Sequence, residues 1–213
     1  FLFLKKGMNL SATSSIYGSL VFLLSGFFVT RYFQPSIIFS ASFLPLGMFV
    51  VASGYKKTKL MFFLPLIIYL QITAGHLQIT LISSISYAIF AFANYYENKL
   101  YIVKTTCFQI LGYLLAAVQI LPSISLYMIS ERQGWDPLLR FSYSLHPSHL
   151  VTYLIPEYFG ISKPGDDFGF TQFGGGFWEL NLTIWSIPFL LTISTIILHK
   201  KIKHKMITSI IVL

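Results

Sequence analysis

Acidic residues are the scarcest component of this sequence. There are seven Asp and Glu among 213 residues, and Glu97 is the sole one in the first 130. Charged residues of both signs make up 10% of the chain, against roughly 25% in a soluble domain. That is too little charge to cover a water-facing surface, so a soluble enzyme or binding module is excluded. Cysteine is nearly absent. Cys107 alone rules out an internal disulfide and a cysteine-based metal site, and its place in an apolar run predicts a small packing residue. Phe1 opens the chain with neither a Met nor a signal-cleavage pattern, and residues 206–213 read as the start of another apolar segment. The expectation is a piece from the middle of a longer protein.

Apolar residues are what the chain has in abundance: 55% hydrophobic, with a mean hydropathy of +0.70. They come in runs near the ~20 residues that cross a hydrocarbon core of about 30 Å. The pattern predicts an all-α fold, a polytopic transmembrane helical bundle of about six spans forming one domain. The spans are expected at residues 8–30, 35–52, 60–74, 79–95, 105–129 and 180–198. Residues 60–93 are apolar almost throughout and would reach about 51 Å as one helix, too far for a single crossing. The polar interruption Gln71-Ile72-Thr73-Ala74-Gly75-His76-Leu77-Gln78 therefore divides them into a hairpin. Pro45 is expected to kink the second span; Pro122 lies near the outer end of the fifth and Pro188 within the sixth.

The charges set the orientation. Lysines cluster between spans, at Lys5-Lys6, Lys56-Lys57-Lys59, Lys99 with Lys104, and Lys200-Lys201-Lys203-Lys205. Six crossings put all four clusters on one face, which the positive-inside rule makes cytoplasmic. Six of the seven acids (Glu131, Asp136, Glu157, Asp166, Asp167 and Glu179) then fall in one long outer loop, residues 130–179. A nucleic-acid surface is excluded despite the net charge of +8, because no basic stripe interleaves with exposed aromatics. Residues 148–159 predict a short interfacial helix in that loop. Trp135, Tyr143, Tyr153, Tyr158 and Trp178 suit the membrane–water boundary.

Few groups are placed to carry chemistry. His76 is expected near the outer boundary and facing the bundle, where ionisable groups mark substrate pathways; the bland alternative is a polar cap on a hairpin. Glu131, Arg132 and Glu179 either anchor helix ends or ring a cavity with His76. In the second case Arg132 would grip a phosphate through its planar fork, and a carboxylate would serve as base. His146 and His149 could share a helical face, but without a third ligand they make a poor metal site. The glycine-rich run 165–176 lacks the Gly-Lys-Ser/Thr ending of a phosphate loop. It reads as a surface loop, or as a cover presenting Asp166 and Asp167 to a metal or to substrate hydroxyls.

Several short motifs follow one another in a recognisable order. They are Leu10-Ser11, Leu24-Ser25-Gly26-Phe27, Ala41-Ser42-Phe43-Leu44-Pro45-Leu46, Ala74-Gly75-His76-Leu77-Gln78, Leu121-Pro122 with Ser130-Glu131-Arg132, Leu154-Ile155-Pro156-Glu157-Tyr158-Phe159-Gly160, and Phe177-Trp178-Glu179. In this order the chain resembles the bacterial YfhO family of multi-pass membrane proteins, which are GT-C-type glycosyltransferase-like. It departs from the pattern at Leu77, where a proline is expected. The resemblance implies a bacterial plasma-membrane enzyme that moves a sugar from a polyprenyl-phosphate carrier to a cell-envelope polymer on the outer face. It implies Glu179, Glu157 and His76 as catalytic residues, and Arg132, Gln78 and Glu131 as substrate-binding ones. It also implies that the main catalytic acid lies upstream of Phe1. No organic cofactor is called for, and a divalent metal is left open. A transporter or flippase, or a non-catalytic envelope-assembly protein, would use the same architecture.

Overall fold

The computed structural model describes residues 1–130, 146–155, 157–159, 188–191, 193 and 194, and no strand occurs among them. They fall into two compact units. Phe1–Ser19 and Gln34–Ser125 belong to the first, Leu20–Phe33 and the described residues beyond Leu126 to the second.

Three helical stretches are long and apolar enough to cross a membrane: Ala12–Thr30, Pro35–Gly54 and Leu77–Tyr95. A fourth is added if the bent pair Lys99–Leu115 and Ala117–Met128 counts as one. Ala12–Thr30 runs as α1 (Ala12–Leu23) and α2 (Gly26–Thr30), interrupted at Leu24-Ser25. Pro35–Gly54 runs as α3 (Pro35–Ser42) and α4 (Leu44–Gly54). The interruption at Phe43 lies two residues before Pro45, whose missing N–H and ring disturb the preceding turn, within a stretch that still counts as one candidate span. A short 3₁₀ helix, Thr58–Phe62, leads into α5 (Phe63–Thr73). After a tight turn α6 follows (Leu77–Tyr95). The division expected within residues 71–78 thus falls at residues 74–76.

The fifth expected span, 105–129, is formed differently. Its helix starts earlier, as α7 (Lys99–Leu115), because the Asn98 carboxamide caps it by accepting from the Tyr101 N–H at 3.0 Å. It then bends by 67° into α8 (Ala117–Met128). The bend lies at Ala116, where the side chain is fully buried, and not at Pro122, which sits inside α8. Cys107 is exposed on α7, so the packing role expected of it does not hold. The sixth expected span, 180–198, lies largely outside the described residues.

Helices α4 and α5 bury an apolar core that includes Val50, Val51, Leu64, Ile67 and Ile68, whereas α6 and α7 show a packing inverted relative to a soluble protein. On α6 the buried side chains include Thr80, Ser83, Ser84 and Tyr87, while Leu81, Ile82, Ile85, Ile89 and Phe92 are exposed. Helix α7 buries Tyr101, Thr105, Gln109 and Gly112 and exposes Val103, Ile110, Leu111 and Leu114. Polar inside and apolar outside is the arrangement a hydrocarbon solvent requires, because lipid tails give helices no hydrophobic reason to associate. Close van der Waals approach takes over that task, and small residues permit it. A Cβ on Gly112 would lie 2.7 Å from Ile68 Cβ and 3.0 Å from the Pro65 carbonyl oxygen, so α7 sits directly on α5. A Cβ on Gly47 would come within 2.2 Å of the Tyr87 ring and hydroxyl, which seats α6 on α4.

One end of this unit is closed by three tyrosines. Tyr55 stacks on Tyr95 with centroids 4.4 Å apart, and Tyr101 meets both edge-on at 5.2 and 5.1 Å. Tyr95 and Tyr101 donate to the carbonyls of Ala52 and Val51 at 2.9 and 2.5 Å. The N-terminal π-turn Phe3–Gly7 joins the same end: Phe3 packs edge-on against Phe90 at 5.6 Å, and a Cβ on Gly7 would stand 3.0 Å from Ala52 Cβ.

Gly47 is the most demanding of these contacts. Gly47→Ala is expected to lower stability in detergent by about 1–3 kcal/mol, the usual cost of overpacking. Chemical denaturation followed by circular dichroism checks this, and an unchanged midpoint would remove the α4–α6 contact.

Candidate functional site

Four of the polar groups buried in the first unit, Ser40, Gln71, Ser83 and Tyr87, form a connected set below the α5–α6 turn. Gly75 makes the turn at φ +102°, a left-handed conformation that costs a glycine little and other residues much. The turn lies over the start of α3, with Ser36 Cβ 3.5 Å from where a Gly75 Cβ would stand. His76 follows as the N-cap of α6, its Nδ1 accepting from the Ile79 N–H at 3.4 Å. Half-buried there, the imidazole satisfies one of the four N–H groups that a helix start leaves unbonded. It can do so only with a lone pair on Nδ1, that is, in a form with the proton on Nε2. From the tyrosine end, α6's 19 residues rise roughly 28 Å, so His76 stands at the far end of that helix from the tyrosines.

Further along α6, Gln71 of α5 is fully buried and holds three helices together. Its Nε2 donates to the Ser40 carbonyl at 2.9 Å and to Ser83 Oγ at 3.0 Å, and its Oε1 accepts from the Tyr87 hydroxyl at 3.4 Å. Ser40 Oγ returns a bond to the Gln71 carbonyl at 2.9 Å, and Ser83 Oγ donates onward to the Ile79 carbonyl at 2.9 Å. Both amide protons of Gln71 are thus used. Ser84 Oγ and the Tyr113 hydroxyl, 3.0 Å apart, link α6 to α7.

This arrangement holds shape and performs no chemistry of its own. It contains no carboxylate, thiol or amine, and its hydroxyls are engaged with the backbone or with Gln71. Among the described residues no group of three His, Cys, Asp or Glu could hold a metal ion. The site residues expected from the sequence are distributed unevenly. His76 and Gln78 lie together at the α5–α6 turn, Gln78 exposed. Glu157 is exposed in the second unit, whereas Glu131, Arg132 and Glu179 lie outside the described residues, as does the glycine-rich run 165–176. The interfacial helix expected at 148–159 is a shorter 3₁₀ helix, Pro147–Tyr153. In it His149 and Thr152 are buried, and the His149 ring lies 4.7 Å from that of Phe159. His146 and His149 do come together, 6.4 Å between ring centroids. Their Nδ1 atoms are 2.8 Å from Ser148 Oγ and 3.2 Å from the His146 carbonyl respectively.

Sequence reading missed Gln71 as a clamp, treating it as part of a chain interruption. The signal was present on α6: Thr80, Ser83, Ser84 and Tyr87 recur at helical spacing along one face of an otherwise apolar run. No family model, curated protein or solved structure matches the chain.

A double-mutant cycle tests the clamp. The coupling between Gln71→Leu and Ser83→Ala is expected near 0.6 kcal/mol and below about 1.7 kcal/mol, the range of side-chain bonds between membrane helices. Additive losses of stability would mean that Gln71 and Ser83 do not bond.

Proposed function

We propose that the chain is part of a polytopic membrane protein of the YfhO type, transferring a sugar from a polyprenyl-phosphate carrier to a cell-envelope acceptor on the outer face. In this reading the apolar helices cross the bilayer six times with residues 130–179 outside, and the tyrosine end of the first unit faces the cytosol. Arg132 and Gln78 bind the carrier's phosphate side, Glu131 holds the substrate, and Glu179, Glu157 and His76 carry the proton transfers. Transfer forms the bond from the acceptor oxygen to the sugar's anomeric carbon and breaks the bond from that carbon to the phosphate oxygen. The acceptor proton goes to a carboxylate, and the phosphate leaves with its charge. No nucleotide is consumed.

The observation that carries this reading is where the resemblance motifs fall. Ser11 caps the start of α1, its Oγ accepting from the Ser14 N–H at 3.1 Å. Ser25-Gly26 separates α1 from α2, Phe43 separates α3 from α4, and Gly75-His76 turns α5 into α6. Four of the motifs that carry the resemblance thus fall at joints of the fold, where common architecture would leave its trace in sequence, whereas Leu121-Pro122 lies inside α8. A transporter would be expected to hold ionisable groups in mid-span. The described helices place theirs near span ends.

His76 separates a structural from a catalytic role. Asn is also a good N-cap, so His76→Asn should keep the helix start while removing the imidazole. In the full-length protein, His76→Asn, Arg132→Gln and Glu179→Gln are each expected to leave a folded protein in the membrane. Each is expected to lower lipid-linked sugar transfer, by about a hundredfold where a general base is lost. Normal transfer in all three would remove these residues from the mechanism.

Orientation is tested separately. Cysteines replacing Lys57 and Gln78, in a Cys107→Ala background, should react with an impermeant maleimide from opposite sides of the membrane. Labelling of both from one side would overturn the hairpin's crossing.

A further inference from the structure

We propose that the tyrosine-closed end of the first unit is a seat for anionic phospholipids, with the edge formed by Lys59, Phe62, Lys104 and Phe108 as its lateral entrance. This surface lies at the opposite end of α6 from His76. It depends on the helices spanning a bilayer and not on sugar transfer.

The fold assembles the charge. Lys5 and Lys6 lie on the π-turn held against α4, Lys56 and Lys57 follow α4, Lys59 is on the 3₁₀ helix, and Lys99 opens α7. The contacts among Phe3, Gly7, Ala52, Tyr55, Phe90, Tyr95 and Tyr101 described above bring these segments to one place. Five of the six lysines are exposed and Lys5 is half-buried. They face a single described acid, Glu97, whose carboxylate accepts from the adjacent Tyr96 hydroxyl at 3.1 Å and raises that phenol's pKa. Six cations against one carboxylate make a strongly positive face, and each lysine near an anionic leaflet adds roughly 1 kcal/mol of attraction.

The neighbouring surface selects a lipid over a soluble anion or an acidic protein. Directly beside the lysines, Phe62, Phe63 and Leu100 are exposed, a surface suited to acyl chains and unsuited to a hydrated partner. Phe62 meets Phe108 edge-on at 5.2 Å, and the Lys104 ammonium stands over the Phe108 ring at 5.9 Å. Lysine stems lie along apolar surface and carry their charge to the polar boundary. A cation above one aromatic ring that itself packs on a second therefore matches a phosphate above its acyl chains. Tyr55, Tyr95 and Tyr101, hydrogen-bonded or stacked into the bundle, give the seat a rigid floor.

The test is titration of the detergent-solubilised full chain with short-chain phosphatidylglycerol and with phosphatidylcholine of the same acyl length. Phosphatidylglycerol should bind and raise the thermal midpoint, and phosphatidylcholine should do so far less. Lys59→Gln combined with Lys104→Gln should weaken phosphatidylglycerol binding by roughly thirtyfold. Lys59→Arg with Lys104→Arg, which keeps both charges, should retain it and so control for misfolding. Arg140→Gln with Lys163→Gln removes the same net charge and should leave binding unchanged. Equal binding of the two lipids, equal loss in both Gln pairs, or displacement of the lipid by inorganic phosphate alone at comparable concentration would each overturn the proposal.

Discussion

The buried amide of Gln71 shows the constraint under which this fold is built. Where the surroundings offer no water, a polar group must find its partners within the protein or carry a desolvation cost of several kcal/mol. Gln71 uses both amide protons and accepts at its oxygen, and its backbone carbonyl takes a further bond from Ser40. Meeting that demand fixes α3, α5 and α6 in one register, since its partners are Ser40 on α3 and Ser83 and Tyr87 on α6. The glycines then become intelligible. Gly47 and Gly112 allow the ring of Tyr87 and the side chain of Ile68 to approach the backbone, supplying the dispersion contact that replaces a hydrophobic driving force.

Much of this was legible in the sequence because a bilayer imposes few solutions. Run length and scarcity of charge pointed to apolar helices. The 34-residue run 60–93 had to be divided, and its polar interruption marked the turn to within three residues. Pro45 likewise marked the break at Phe43. The 67° bend between α7 and α8 had no such marker: it sits at Ala116, upstream of Pro122, which α8 accommodates. The exposure of Cys107 was illegible for a related reason: in an apolar run hydropathy cannot tell the lipid face from the packed face. Only the spacing of small and polar residues carries that distinction, as Tyr101, Thr105, Gln109 and Gly112 do on α7.

The candidate site was less legible, since its chemistry depends on which groups meet in space. His76 was found from sequence as an ionisable residue at a turn. That the same imidazole caps α6 through Nδ1 required the coordinates. An Nδ1 that accepts from a backbone N–H leaves the proton on Nε2, so in the capping form the ring is a donor and not an acceptor at Nε2.

The first unit is chemically polarised along its helices. At one end stand six lysines and Glu97. At the other, among described residues, His76 is the one ionisable side chain, and the rest are hydroxyls, amides and apolar groups. A reaction needing a carboxylate at the His76 end cannot obtain it from this unit and must draw it from residues 131–179 or from chain outside this sequence. Among its described residues the unit thus offers an imidazole at one end and a cluster of lysines at the other, with no carboxylate beside the imidazole. The acids are distributed to match: six of seven fall after residue 130 in the chain, and the apolar helices before it could not bury them without partners.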